Sequence, residues 1–280
     1  MMRSLYSGVT GLRNHQTKMD VIGNNIANVN TIGYKSSRVV FQDIYSQTIK
    51  PASTTGTGSG GTNPQQIGLG VQVATIDVLH TKSTPQYTGN SLDLSIEGDG
   101  YFIMSSDGQL SYTRAGNFYQ DVNHYLVDSN GAYVQGFEVD STGALVLDAG
   151  GDPIPTNIFL NPSYYDISIN SSGQVVGIDQ TTNQSQVIGQ IALATFANPN
   201  GLEKVGQNTY RVTVNSGIEV RHTPGVGTGG LLNPGTLEMS NVDLTSEFAD
   251  MIVTQRGFQA NSRIITTTDQ MLEELVNMVR

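Results

Sequence analysis

Cysteine and tryptophan are both absent from the 280 residues. Without cysteine there is no disulfide framework and no thiolate metal site. Its absence also suits a chain that works outside the reducing cytosol without relying on disulfides. Charge is scarce too: 14% of residues, with 24 acidic against 14 basic side chains and a formal net charge of -10. That acidity speaks against nucleic acid as a partner, because phosphates require a basic patch. No run approaches the ~18 consecutive apolar residues of a membrane helix, so membrane insertion is not expected. The N-terminus does not read as a secretory leader, since Gly8, Thr10, Arg13 and Asn14 interrupt any apolar stretch behind Arg3. Export, if it occurs, is expected to use a route that cleaves no leader.

What is plentiful is glycine, with 32 residues, alongside abundant Ser, Thr and Asn. Small polar residues serve turns, while Val, Ile and Tyr serve strands. The middle of the chain carries that signature. Residues 71–79 (VQVATIDVL) are mostly strand formers, and Leu92, Leu94 and Ile96 alternate with Asp93, Ser95 and Glu97. Further strand-like runs occur at 101–104, 133–134, 144–147, 187–196 and 210–214. Turn dipeptides such as Asp99-Gly100, Asp107-Gly108, Asn130-Gly131 and Ser216-Gly217 punctuate them.

The two ends follow another period. Leu5, Leu12, Met19 and Ile26 fall seven residues apart, with Val9, Ile22 and Val29 beside them. Leu244, Met251, Phe258, Ile265, Leu272 and Val279 repeat the spacing, and Phe248, Ile252, Leu275 and Val276 widen the stripe. This is helical periodicity. Asp243 is the expected N-cap of the second helix, with Glu247 near the positive end of its dipole. Residues 1–43 hold five cationic and two anionic side chains, and residues 240–280 hold three and six, which favours pairing of the two ends. Between helices and middle lie Gly-rich stretches at 50–66 (KPASTTGTGSGGTNPQQ) and 224–230 (PGVGTGG), expected to be the paired strands of a connector.

The expected fold is therefore α+β: a mainly-β central domain flanked by N- and C-terminal helices that pair in a coiled-coil-like core. Its expected parts are an N-terminal core helix (1–43), a Gly/Thr-rich connector (44–75), the β domain (76–222), a return connector (223–240) and a C-terminal core helix (241–280). Stripes alone do not name their partner. They fit helices shared between copies of the chain, and equally an intramolecular helical hairpin.

Catalytic, cofactor and metal motifs are not expected. His15, His80, His124 and His222 are scattered, without HxH or HExxH spacing. Residues 121–131 (DVNHYLVDSNG) only faintly suggest a calcium loop: Tyr125 and Val127 occupy ligand-like places and the twelfth residue is Ala132. Gly98-Asp99-Gly100 and the glycines of 225–230 lack the Lys-Ser/Thr of a phosphate loop. A β-rich secreted enzyme, for instance one acting on cell-wall glycan, is the contrasting class. It would use paired carboxylates such as Asp93, Glu97 and Asp99 and would have no reason for stripes at both ends.

Residues 19–37 (MDVIGNNIANVNTIGYKSS) resemble the N-terminal signature of flagellar rod and hook proteins, with Asp20, Asn24, Asn25 and Asn28 in its core and Gly33, Tyr34 and Lys35 as its closing step. Residues 92–102 (LDLSIEGDGYF) and 112–118 (YTRAGNF) resemble the shared β-domain motif, and 237–279 resemble the C-terminal helix motif. Three motifs in the family's order make the resemblance specific. It implies a structural subunit that polymerises into a hollow helical tube lined by the terminal helices. It also implies export through the flagellar type III apparatus, and contact with copies of itself and with other axial proteins of rod, hook cap and hook–filament junction. Within the family, residues 22–27 (IGNNIA) and 274–277 (ELVN) favour a hook subunit acting as a flexible joint. The short length, residues 267–270 (TTDQ) and the Gly/Thr-rich stretch after Gln47 suit a distal rod subunit, kept as the alternative.

Overall fold

In the computed structural model, residues 2–54, 60–140, 145–146, 153–180, 182–227 and 229–278 are described. The seven-residue stripes become helix α1 (Met2–Ala27) and helix α2 (Leu244–Met278). Asp243 caps α2 as expected: its Oδ1 accepts from the Thr245 N–H at 2.9 Å and its carbonyl from the Glu247 N–H at 3.0 Å. The chain forms two units. One comprises Met1–Ala27, Ser37–Leu79 and Val242–Arg280, the other Asn28–Ser36 and His80–Asn241.

In the first unit, α1 packs antiparallel on α2. Strand Ser37–Asp43 pairs antiparallel with strand Val71–Val78, from Ser37 opposite Val78 to Asp43 opposite Val71. Ser37–Asp43 alternates half-buried and exposed residues over most of its length, while Val71–Val78 mixes the two without strict alternation. Here the structure departs from three expectations. Helix α1 stops at Ala27, because Asn28 opens a turn in which its carbonyl accepts from Thr31 N at 3.1 Å. Residues 37–43 form a strand, since the β-branched pair Val39-Val40 and Phe41 suit a half-covered sheet better than a helix face. Residues 71–78 are a strand as read, but they pair with 37–43 rather than join the central sheet.

The Gly-rich stretches differ as well. Strands Ser46–Lys50 and Gln65–Gly68 pair with each other as a hairpin, so the 50–66 stretch closes on itself. Residues 224–227 instead make a turn in the second unit, and Gly230 N donates to Asp99 O at 2.9 Å. No ladder joins the two stretches among the described residues. Residues 55–59 lie outside the described residues.

The second unit is the expected β region. A thirteen-stranded antiparallel sheet runs along Tyr164–Ile169, Gln174–Asp179, Ser185–Ile191, Tyr133–Phe137, Tyr101–Ser106, Gln109–Thr113, Thr209–Arg211 and Glu203–Gly206, with five short strands paired alongside. Alternation splits its core in two. Phe102, Met104, Phe118, Val134, Val175, Ile191 and Leu193 pack in one cluster. Tyr101, Ile103, Tyr112, Phe137, Phe196 and Tyr210 pack in another, as a period of two requires. The stretch expected as a return connector holds strands Leu231–Pro234 and Thr236–Glu238, which pair with Leu94–Glu97 and Pro85–Tyr87. It is part of this unit because Leu232 and Leu237 are buried in it. The α+β class, with a mainly-β middle and a helix at each end, holds.

Candidate functional site

The helix pair is read from its contacts. Gly8 faces Ile265 and Asn261, Gly11 faces Asn261, and Gly257 faces the His15 ring. Lys18 Nζ lies 3.6 Å from Asp250 Oδ1, and Asn25 Nδ2 donates to Glu247 Oε1 at 3.0 Å. Charge pairing between the ends is thus present within one chain, though an exposed pair of this kind contributes at most about 1 kcal/mol.

The tightest approaches run over glycine. A Cβ at Gly11 would stand 2.7 Å from the Asn261 amide nitrogen, and one at Gly257 would stand 2.6 Å from His15 Cε1. Thr254 and Thr268 are the buried residues of α2, with hydroxyls that donate to Asp250 O and Ile264 O. The sequence reading followed large apolar residues and missed these small ones. The available signal was glycine inside a helical pattern, which costs about 1 kcal/mol against alanine and so needs a packing reason.

The stripe residues divide into two groups. Ile22 is buried. Leu5, Leu12, Met19 and Ile26 on α1 are half-buried, as are Met251, Phe258, Ile265 and Leu272 on α2. Val9, Leu244, Phe248, Ile252 and Leu275 are exposed, Ile252 by 58%. Val29 lies past the end of α1, in the turn, and Val279 lies outside the described residues. The helices also differ in length, 26 residues against 35. From the Gly8–Ile265 and Gly11–Asn261 contacts, α1 begins opposite about residue 271, so the last ~10 Å of α2 extends past it. On that overhang Met271, Leu275, Val276 and Met278 are all exposed.

The motif residues act in both units. In the first, Asn25 is buried, accepts from Ser37 N at 3.0 Å and donates to Ser37 O at 2.9 Å. One amide side chain thereby takes the place of a neighbouring strand at the start of Ser37–Asp43. Asp20 and Asn24 are exposed on α1. In the second unit, residues 28–36 form a strap. Asn28 Oδ1 accepts from Thr31 Oγ1 at 3.1 Å, which shapes the turn. Gly33 has φ +67°, and a Cβ there would lie 2.6 Å from Ala115 N, so only glycine fits. The buried Tyr34 ring lies 4.3 Å below Lys204 Nζ, which also donates to Lys35 O at 3.1 Å. Asn208 Nδ2 donates to Ile32 O at 3.0 Å.

Lys35 is the centre of the strap. Its side chain is 1% exposed, and Nζ donates to Glu238 Oε1 at 2.6 Å and to Thr81 O at 2.7 Å. The other carboxylate oxygen, Oε2, accepts from Arg114 Nη1 at 3.3 Å, and Arg114 is itself buried. The Glu238 carbonyl accepts from Gly33 N at 2.8 Å. Ser36 N donates to Asn241 Oδ1 at 2.7 Å, and Asn241 Nδ2 to Thr81 Oγ1 at 2.8 Å. Segments 28–36, 81–83 and 236–241 are therefore joined through one carboxylate. Burial pushes the Lys35 ammonium below its usual range, against the pull of Glu238. Burial, then the charges of Lys35, Arg114 and Lys204, lower His80 to about 4, while burial raises Tyr101 to about 12. Sequence reading placed Gly33, Tyr34 and Lys35 by resemblance only. Arg114 and Glu238 fell inside stretches of resemblance (112–118 and 237–279) without a role of their own, and Lys204 was not singled out.

No group of three or more His, Asp or Glu side chains suited to a metal ion occurs among the described residues. A surface cleft of about 450 Å³ lies between strands Tyr133–Phe137, Pro155–Asn157 and Ser185–Ile191. Its lining mixes apolar side chains such as Phe137, Ile158 and Val187 with the amides of Asn157, Asn161 and Gln186 and with Glu138 and Asp140, and neither histidine nor cation is among them.

Three family models match this chain: "Flagella basal body rod protein" over residues 5–35, "Flagellar hook protein FlgE/F/G D1 domain" over 95–177, and "Flagellar basal body rod FlgEFG protein C-terminal" over 233–278. Among similar proteins is the flagellar basal-body rod protein FlgG of Bacillus subtilis, 51% identical over 100% of both chains. The FlgG rod protein of Caulobacter vibrioides is 37% identical over 97% of both. The flagellar hook protein FlgE of Borreliella burgdorferi is 34% identical over 99% of this chain and 100% of its own. The matched segments contain α1 with the strap, the centre of the sheet, and α2 with Glu238, and the chain belongs to the flagellar rod and hook family of structural axial proteins.

Proposed function

We propose that this chain is the distal rod subunit of the flagellar basal body, a drive-shaft protein that polymerises through α1 and α2 into a hollow helical tube. The observation that carries the choice of rod over hook is length. Rod relatives align over 281 and 275 positions, close to the 280 residues of this chain, whereas the hook relatives require 441 and 464. The hairpin Ser46–Lys50 with Gln65–Gly68 supports polymerisation, whichever the subunit: two strands alone are marginal in water, and its Ile49 and Ile67 are exposed, so it suits packing against a neighbouring copy. The hook reading keeps support from residues 22–27 and 274–277 and from the 34% identity to a hook protein over nearly the whole chain.

In this reading the helix residues act as the subunit interface. The half-buried positions Leu5, Leu12, Met19, Met251, Phe258 and Ile265 hold the helix pair, and the half-buried Leu272 lies where the overhang of α2 begins. The exposed positions Val9, Leu244, Phe248, Ile252 and Leu275 meet other copies, as apolar stripes on a soluble chain require partners. Neighbouring axial proteins cap the polymer at each end, and the chain is exported by the flagellar type III apparatus. It carries out no catalysis.

A single cysteine placed at the exposed Thr182 tests the assignment, since the native chain has none. Living cells are treated with a membrane-impermeant maleimide dye. A distal rod subunit is assembled but unlabelled until the envelope is opened. Bright foci at filament bases in intact cells would replace rod by hook. Labelled protein found only soluble in the medium would contradict an axial subunit of either kind.

A further inference from the structure

His80 stands apart from the helix interface. It lies against the strap and is half-buried, with its Nδ1 2.7 Å from the Tyr101 hydroxyl. Its ring packs edge-on to Tyr101 at 5.9 Å and to Tyr210 at 5.4 Å. Its Nε2 is buried and has no hydrogen-bond partner among the described residues. The charged groups acting on it are cationic: Lys35 from the strap, Arg114, and Lys204 from strand Glu203–Gly206. The acidic groups of the neighbourhood, Glu238 and Asp99, act on Tyr101, and Glu238 is already shared by Lys35 and Arg114. Tyr210 adjoins Tyr34 as well as Tyr101. The next residue, Thr81, holds Lys35 by its carbonyl and Asn241 by its hydroxyl.

We propose that His80 is a proton-operated release for the strap: the neutral imidazole forms a wall of the clasp, and the protonated one loosens residues 28–36 from residues 81–83. A proton on the ring adds a positive charge beside three cations that have one carboxylate between them. Desolvation prevents water from screening that charge, and the buried Nε2–H gains no acceptor. The relief available to the protein is to move His80 outward. That motion carries the Thr81 carbonyl away from Lys35 and leaves the ammonium with Glu238 alone.

The direction with pH follows from proton binding. The folded histidine titrates at about 4, the unfolded one at 6.5. Between those values the opened state binds more protons, so the closed clasp weakens as pH falls through that window. From pH 7 to pH 5 the closing constant drops roughly 20-fold on these values.

Amide hydrogen exchange on the full chain tests this, with rates at residues 32–36 and 81–83 corrected for the intrinsic pH dependence. Protection of both segments should fall about 20-fold between pH 7 and pH 5 in the wild type. In His80→Phe, which keeps an edge-on ring, the fall should be under about 3-fold. His15→Gln, altering the other histidine lowered by burial, should leave the response intact. A wild type with no fall, or a His80→Phe chain with the wild-type fall, overturns the proposal. Should His80→Phe not fold, the imidazole resonance of His80 in the wild type decides: titration near 4 supports the release, and titration at 6.5 or above overturns it.

Discussion

Glu238→Gln and Lys35→Met should destabilise the β unit to very different extents, although they remove opposite ends of the same ion pair. Glu238 is 3% exposed and faces two buried cations, Lys35 at 2.6 Å and Arg114 at 3.3 Å. Neutralising it leaves both cations without compensation, a loss that typically costs ~3–5 kcal/mol. Removing Lys35 leaves Arg114 and Glu238 matched one to one. It forfeits the bond to Thr81 O and one of the carboxylate's donors, for ~1–3 kcal/mol. The expected gap of ~2 kcal/mol corresponds to a difference in urea midpoint of about 1 M for an m-value near 2 kcal/mol/M. Tyrosine emission is a suitable probe, since tryptophan is absent and Tyr101, Tyr112 and Tyr210 lie in the unit's core. A Lys35→Met chain as unstable as Glu238→Gln would refute the charge argument. The clasp would then depend on the lysine's hydrogen bonds rather than on charge balance.

Two further outcomes follow from the geometry. Gly33→Ala forces a side chain into φ +67° and to within 2.6 Å of the Ala115 backbone nitrogen, so a loss of more than about 2 kcal/mol is expected in the same urea titration; a loss under 0.5 would contradict the tight seat of the strap. Met251→Asp places a carboxylate on the half-buried face between α1 and α2, and Leu272→Asp places one at the half-buried start of the α2 overhang; each should abolish assembly, read as loss of motility and of rod structures in isolated basal bodies, and normal swimming in either mutant would count against that stripe as a structural seam.

The helices and the β character of the middle were legible because each rests on local periodicity, and the start of α2 because Asp243 is a strong N-cap residue. Seven-residue spacing marked α1 and α2, and Asp243 marked where α2 begins. Less legible was which element each strand joins. Residues 71–78 read as a strand from composition alone, but their partner lies at 37–43, in a segment that the nearby helical pattern had absorbed. Pairing depends on contacts between distant residues, which a single sequence does not display. The clasp was hidden for the same reason: Lys35 stood out only by resemblance, and its partner Glu238 lies about two hundred positions away. Gly8, Gly11 and Gly257 were visible as exceptions to helix propensity, yet a search for large apolar residues passes over them.

The claim that the terminal helices join copies of the chain is tested most directly on the α2 overhang. Leu275 and Val276 are 40% and 64% exposed in the single chain, past the reach of α1. Surface changes of this kind alter monomer stability by about 0.5 kcal/mol or less. The double variant Leu275→Asp, Val276→Asp should therefore keep the wild-type urea midpoint as a purified monomer while no longer appearing in isolated basal bodies and leaving cells non-motile. Assembly and motility at wild-type levels, with the monomer equally stable, would contradict the account.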